Sequence, residues 1–113
     1  LGNRDQALQK IRQGIRAANT SAEERWLPLL YKNAAILREQ KGDLAGAKKD
    51  YRRSFNLDSS DPYVHYSLAM VTETLGQKRA ARQYCDSCLE VASKMGDSDL
   101  IKIVMKLIKQ IDS

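Results

Sequence analysis

Cys85 and Cys88 form a C-x-x-C pair, the spacing of half a zinc site or of a redox dithiol. Structural zinc needs further thiolate or imidazole ligands. The chain has no other cysteine and a single histidine, His65, so a metal would require ligands from a second subunit. A cysteine that is neither ligand nor nucleophile behaves as a small hydrophobe, and core packing is the expectation for both thiols. His65 has no serine or cysteine nucleophile at a recognisable spacing, and no glycine-rich nucleotide loop is present. It is read as a packing histidine rather than a general base. The paired carboxylates Glu23 and Glu24 suit a helix N-terminus better than acid–base work. The chemistry-bearing residues therefore predict a non-catalytic protein with no cofactor and no metal.

The basic residues are the other group with a chemical meaning. Nineteen Lys and Arg against 14 Asp and Glu leave a net charge of +5, a mild tilt toward acidic or phosphate-bearing partners. Lys48, Lys49, Arg52 and Arg53 are the densest cluster, with Lys10, Arg12 and Arg16 before it and Lys78, Arg79 and Arg82 after it. Stacked on one side, they would make a convex ridge able to attract phosphate or an acidic protein. No aromatics are interleaved with them, which weakens single-strand binding. Solvated helix faces commonly carry such residues. Nucleic-acid binding is the alternative, not the leading reading.

The elements that position these residues follow from composition and period. With 113 residues, 42% apolar and 29% charged, the chain makes one globular domain or a stretch of a repeat array. No apolar run reaches the roughly 18 residues of a membrane span. The chain opens at Leu1-Gly2 without Met or signal peptide and reads as a piece cut from a longer protein. Two cysteines are too few for a disulfide framework, so a reducing, cytoplasmic setting is expected. Few prolines and one Phe favour helix over strand.

A repeat organises the rest. Gly2, Gly42 and Gly76 are 40 and 34 residues apart, and Ala7, Ala47 and Ala81 keep both spacings. So do Ile11, Tyr51 and Cys85, then Gly14, Ser54 and Cys88, then Ile15, Phe55 and Leu89; Pro28/Pro62 and Ala35/Ala69 are 34 apart. The physical unit is a helix pair. A first helix ends at a glycine in the left-handed conformation, and a second begins almost at once. The second helix carries an alanine where backbones meet and larger side chains on the same face one turn on. Such a hairpin cannot bury its apolar face alone, so neighbours must stack.

Helices are expected at about 4–18, 21–40, 44–57, 62–75, 78–95 and 98–112. Asp61-Pro62 is the clearest start, a carboxylate cap followed by proline at the first position. Ser21 and Glu24 read as a capping box. That would place Pro28 inside a kinked helix, with two added turns around Trp26.

With this period, residues 28–61 and 62–95 resemble tetratricopeptide repeats. Residues 1–21 resemble the second half of a preceding repeat. Residues 22–61 would be a repeat with an extended first helix, and 96–113 a capping helix or the first helix of a further repeat. The resemblance implies an all-α fold, a right-handed superhelix of antiparallel helix hairpins. The chain departs from the family pattern at His65, Ala34, Cys85 and Asp58-Ser59, where an aromatic, a leucine, an aromatic and Asp-Pro are usual.

The resemblance also implies a function: the first helices line a concave groove that holds a partner's peptide or helix, as in scaffolds and adaptors. Mapped here, that face holds Leu29, Lys32, Ile36 and Glu39, then Tyr63, Tyr66, Met70 and Glu73, then Leu100 and Val104. The binding set is Lys32, Ile36, Glu39, Tyr63, Tyr66, Met70, Glu73 and Val104. A chaperone-tail clamp is not supported, because Ile36, Ser67, Asp97 and Ile101 stand where its Asn, Lys and Arg belong. The last helix has only Lys102, Lys106 and Lys109 as a polar stripe, so self-association or a following repeat is expected through its apolar surface.

Overall fold

The Asp61 carboxylate accepts a hydrogen bond from the Tyr63 amide at 3.0 Å, with Pro62 in the first turn of the helix it caps. Asp43 does the same for Gly46 at 2.9 Å, and Asp97 for Leu100 at 3.1 Å. At the opposite helix ends, Gly42 and Gly76 have φ of 85° and 82°, a conformation side chains with a Cβ rarely adopt. Each closes its helix with the paired bonds of a Schellman turn. Asp43 N bonds Arg38 O and Gly42 N bonds Glu39 O; Gln77 N bonds Thr72 O and Gly76 N bonds Glu73 O. The same pattern recurs at Gly96, a turn outside the 34-residue register.

Among the described residues these signals produce six α-helices: α1 (Gly2–Asn19), α2 (Leu27–Gln40), α3 (Leu44–Leu57), α4 (Pro62–Thr74), α5 (Lys78–Met95) and α6 (Ser98–Asp112). The structure, a computed structural model, describes residues 2–19 and 24–113. No strand occurs among the described residues, and no helix there is long and apolar enough to cross a membrane. The fold is all-α, built of helix hairpins as expected. The chain divides into two compact units, Leu1–Asp58 and Ser59–Ser113.

Two expectations fail locally. Pro28 does not kink a long helix. It stands in the first turn of α2, where its missing N–H costs nothing, and a single 3-10 turn at Glu24–Trp26 precedes it. The capping box rested on Ser21, which lies outside the described residues. Gly2, read as a turn, is the first residue of α1.

In the first unit, α2 packs against α1 and α3. Ala35 and Ala47 are fully buried, as the close backbone approach requires, and Leu8, Leu27 and Tyr51 fill around them. Arg4 donates to the Gln40 carbonyl at 3.2 Å, and Lys41 pairs with Asp5, holding the start of α1 to the end of α2. In the second unit, α5 lies between α4 and α6. Ala69, Ala81, Cys85, Cys88 and Ala92 form one core with Leu100, Val104, Leu107, Ile108 and Ile111 of α6. Leu100, Val104 and Leu107 plus Ile108 and Ile111 repeat at helical spacing, so one whole face of α6 is committed to this core.

Candidate functional site

On α4, Tyr63, Tyr66, Met70 and Glu73 recur at steps of three and four residues and so share one face. Tyr63 is 49% exposed and Met70 39% exposed, large apolar side chains left in contact with water. Tyr66 is half-buried and packs on the core of α5 and α6, whose apolar surroundings push its phenol pKa up. The two ends of the row are tied to α6. The Tyr63 hydroxyl donates to Asp97 Oδ2 at 3.1 Å, which raises its pKa because the carboxylate stabilises the protonated phenol. Gln110 Nε2 donates to Glu73 Oε1 at 3.2 Å. The arrangement is an apolar centre with a carboxylate at each end.

The matching row on α2, in the first unit, is Leu29, Lys32, Ile36 and Glu39. Leu29 is 48% exposed, Lys32 and Ile36 are half-buried, and Glu39 is exposed. Glu39 Oε1 accepts the Tyr51 hydroxyl at 2.8 Å, which fixes its carboxylate in place.

Val104 must be withdrawn from the set. It is 0% exposed, as is typical of the α6 face that faces α5, and Leu100 is 2% exposed. The α5 core consumes most of the apolar surface of α6. What remains at the surface is chiefly Ile103, 45% exposed, and Met105, 52% exposed.

The thiols lie in the same core. Cys85 and Cys88 are free and fully buried, and burial pushes each from its ordinary value near 9 up to about 11. Such thiols are poor nucleophiles and poor metal ligands. His65 is buried as well; Nε2 donates to the Ser59 carbonyl at 2.7 Å, and Nδ1 shares a 2.8 Å hydrogen bond with the Ser87 hydroxyl. Both ring nitrogens are occupied by the fold.

The basic residues do not all face solvent. Lys49, Arg52, Lys78 and Arg79 are exposed, while Arg82 pairs with Asp86 at 3.4 Å and with Asp112 at 2.9 Å. In the first unit, Arg12, Arg16 and Arg53 line a cavity of about 260 Å³ that also contains Tyr31, Arg38 and Asp50. Sequence reasoning missed Arg38 and Asp50. The signal was present: Asp50 falls in the row Ala47, Asp50, Tyr51, Ser54, the buried face of α3. A carboxylate at such a position calls for a cation, and Arg38 Nε lies 2.9 Å from Asp50 Oδ2.

Residues 62–95 match the family model described as tetratricopeptide repeat. A solved structure of the UNC-45 chaperone, reported for its molecular features critical for binding and folding muscle myosin, resembles 92% of this chain with a TM-score of 0.65 and 20% identity. The chain spans 13% of that protein's chain, and at this identity the likeness is one of fold. No curated protein matches the chain in sequence.

Proposed function

We propose that this chain, which carries a tetratricopeptide repeat at residues 62–95, is a non-catalytic protein-interaction module that holds an extended or helical segment of a partner. The observation that carries the reading is the α4 row. Exposed Tyr63 and Met70 flank Tyr66 on one helix face, with Glu73 and Asp97 at its ends. Aromatic and thioether side chains give large contact area with adaptable shape, which suits recognition of apolar side chains. The two carboxylates favour a ligand whose apolar centre is flanked by cationic groups. In the first unit, Lys32, Ile36 and Glu39 supply the equivalent row of α2.

Scaffold or adaptor is the role this implies, in a reducing compartment such as the cytoplasm, where Cys85 and Cys88 stay thiols. Self-association through α6 would run over Ile103 and Met105. Lys102, Lys106 and Lys109 on the same helix oppose a symmetric pairing of like charges.

The test is a peptide selected from a random display library on the intact chain, then titrated against native protein and Tyr63→Ala/Met70→Ala. Both positions are exposed, so circular dichroism is expected to be unchanged. The reading requires a loss of about tenfold or more in affinity that persists at high salt, where the contribution of the two carboxylates is screened. Equal affinity for the double variant would remove α4 as the contact face.

A further inference from the structure

The cavity of the first unit has a composition that packing does not demand. Its lining includes four guanidiniums, from Arg12 and Arg16 of α1, Arg38 of α2 and Arg53 of α3, and one carboxylate, Asp50. Arg38 is committed to the fold: Nη1 lies 3.1 Å from Asp43 Oδ2, and Nε 2.9 Å from Asp50 Oδ2. The Nε–H finds no well-aligned acceptor among the described residues, so this contact is an ion pair rather than a linear hydrogen bond. Arg53 reaches Asp50 only at 3.4 Å and lies over the Tyr31 ring, 5.6 Å from its centroid. It is also 56% exposed. Leaving Arg16 aside, the lining still holds three guanidiniums against one carboxylate.

The second repeat shows what the fold itself needs at these positions. Thirty-four residues on, Arg38 is replaced by Thr72, Asp50 by Tyr84, Arg53 by Ser87 and Tyr31 by His65. The equivalent hairpin, α4 with α5, forms without any of the charges. Ala34 corresponds to Leu68, which is fully buried. Ala34, at the position of that leucine, lines the cavity of the first unit. An ion pair with one buried end, such as Arg38–Asp50, contributes little net stability over apolar packing, so its presence calls for another reason.

We propose that this cavity binds a phosphate monoester, with Arg12 and Arg53 contacting the phosphate oxygens and the Arg38–Asp50 pair forming a rigid floor. Guanidinium groups match phosphate oxygens in paired, charge-assisted hydrogen bonds. A dianion suits a lining with an excess of positive charge better than a single carboxylate does. The volume of about 260 Å³ leaves room for a small group attached to the phosphate, with the Tyr31 ring as one wall. The site is independent of the α2 and α4 rows proposed for peptide contact.

The experiment is calorimetric titration of the intact chain with inorganic phosphate, O-phosphoserine and a short phosphoserine peptide, at matched ionic strength. Arg12→Gln removes a ligand from an exposed position, and Ala34→Leu fills the cavity with the residue its sister repeat already holds. Lys49→Gln/Arg52→Gln removes exposed charge outside the cavity. Saturable binding of a monoester is expected, weakened about tenfold or more by Arg12→Gln and by Ala34→Leu and less than about twofold by the control pair. Tighter binding of the peptide than of O-phosphoserine identifies a modified protein as the source, and the reverse a free metabolite; both support the site. No saturable binding, or equal weakening by Arg12→Gln and the control pair, overturns it. Circular dichroism on each variant separates lost binding from lost fold.

Discussion

The Cys88 thiol donates to the Pro62 carbonyl at 3.2 Å, closing the second helix of a hairpin onto the first turn of the helix before it. One repeat earlier, the Ser54 hydroxyl makes the same bond to Pro28 at 2.7 Å. In both, a proline starts the first helix and a small donor 26 residues later reaches back to it. The small position in the repeat is thus more than a place of low volume; it supplies a hydrogen bond across the hairpin. Ser54→Ala is expected to cost about 1 kcal/mol in urea denaturation, the usual value for a lost intramolecular bond. Cys88→Ser retains the donor and is expected to cost less than Cys88→Val. The reverse order would make volume the deciding property.

Burial of the two thiols makes a prediction with a definite sign. The folded pKa near 11 lies above the ordinary value near 9, so the unfolded chain loses its thiol protons first as pH rises. Stability is unaffected below about pH 8 and falls between about pH 9 and 11, by up to roughly 2 kcal/mol per thiol. Cys85→Ala/Cys88→Ser should flatten that alkaline limb. Iodoacetamide at neutral pH should label both thiols only in denaturant.

Asp50 titrates the same way. Burial raises its pKa, and Arg38 then Arg53 offset only part of that. The native state therefore holds a proton on Asp50 at a pH where the unfolded chain does not. Its charge disfavours folding above the raised pKa, and that cost is relieved as pH falls through it toward the ordinary value of 3.8. Native protein should gain stability relative to Asp50→Asn on acidification over that window. A constant difference across a pH series of denaturation curves would contradict the assignment.

The correction at Val104 can be measured directly. Val104→Ala removes two methyl groups from a fully enclosed site and should cost about 2 kcal/mol. Met105→Ala, at a side chain 52% exposed, should cost less than about 0.5 kcal/mol. Similar costs at the two positions would mean that α6 is covered on both sides.

How legible the candidate surfaces were depends on the kind of residue. Tyr63, Met70 and Glu73 were readable because a regular helix puts residues three and four apart on one face, wherever that face points. Val104 obeys the same spacing with Leu100 and Leu107, yet spacing alone cannot say which side of α6 meets α5. The arginine-lined cavity was less visible. Arg12 and Arg53 belong to different helices and look like ordinary solvated charges until α1, α2 and α3 are brought together.

Taken alone, the amino-acid order determined which residues repeat and where the helices from α3 onward begin and end. Caps such as Asp61-Pro62, positive-φ glycines at Gly42 and Gly76, and the 34-residue register all act over a few residues, through local hydrogen bonds and backbone sterics. Tertiary structure alone decided which apolar face of α6 is consumed and that Ala34 lines a cavity with arginines from three helices. Those outcomes depend on what lies across the interface from each side chain. Local periodicity carries no record of the opposing surface, and burial is a property of both.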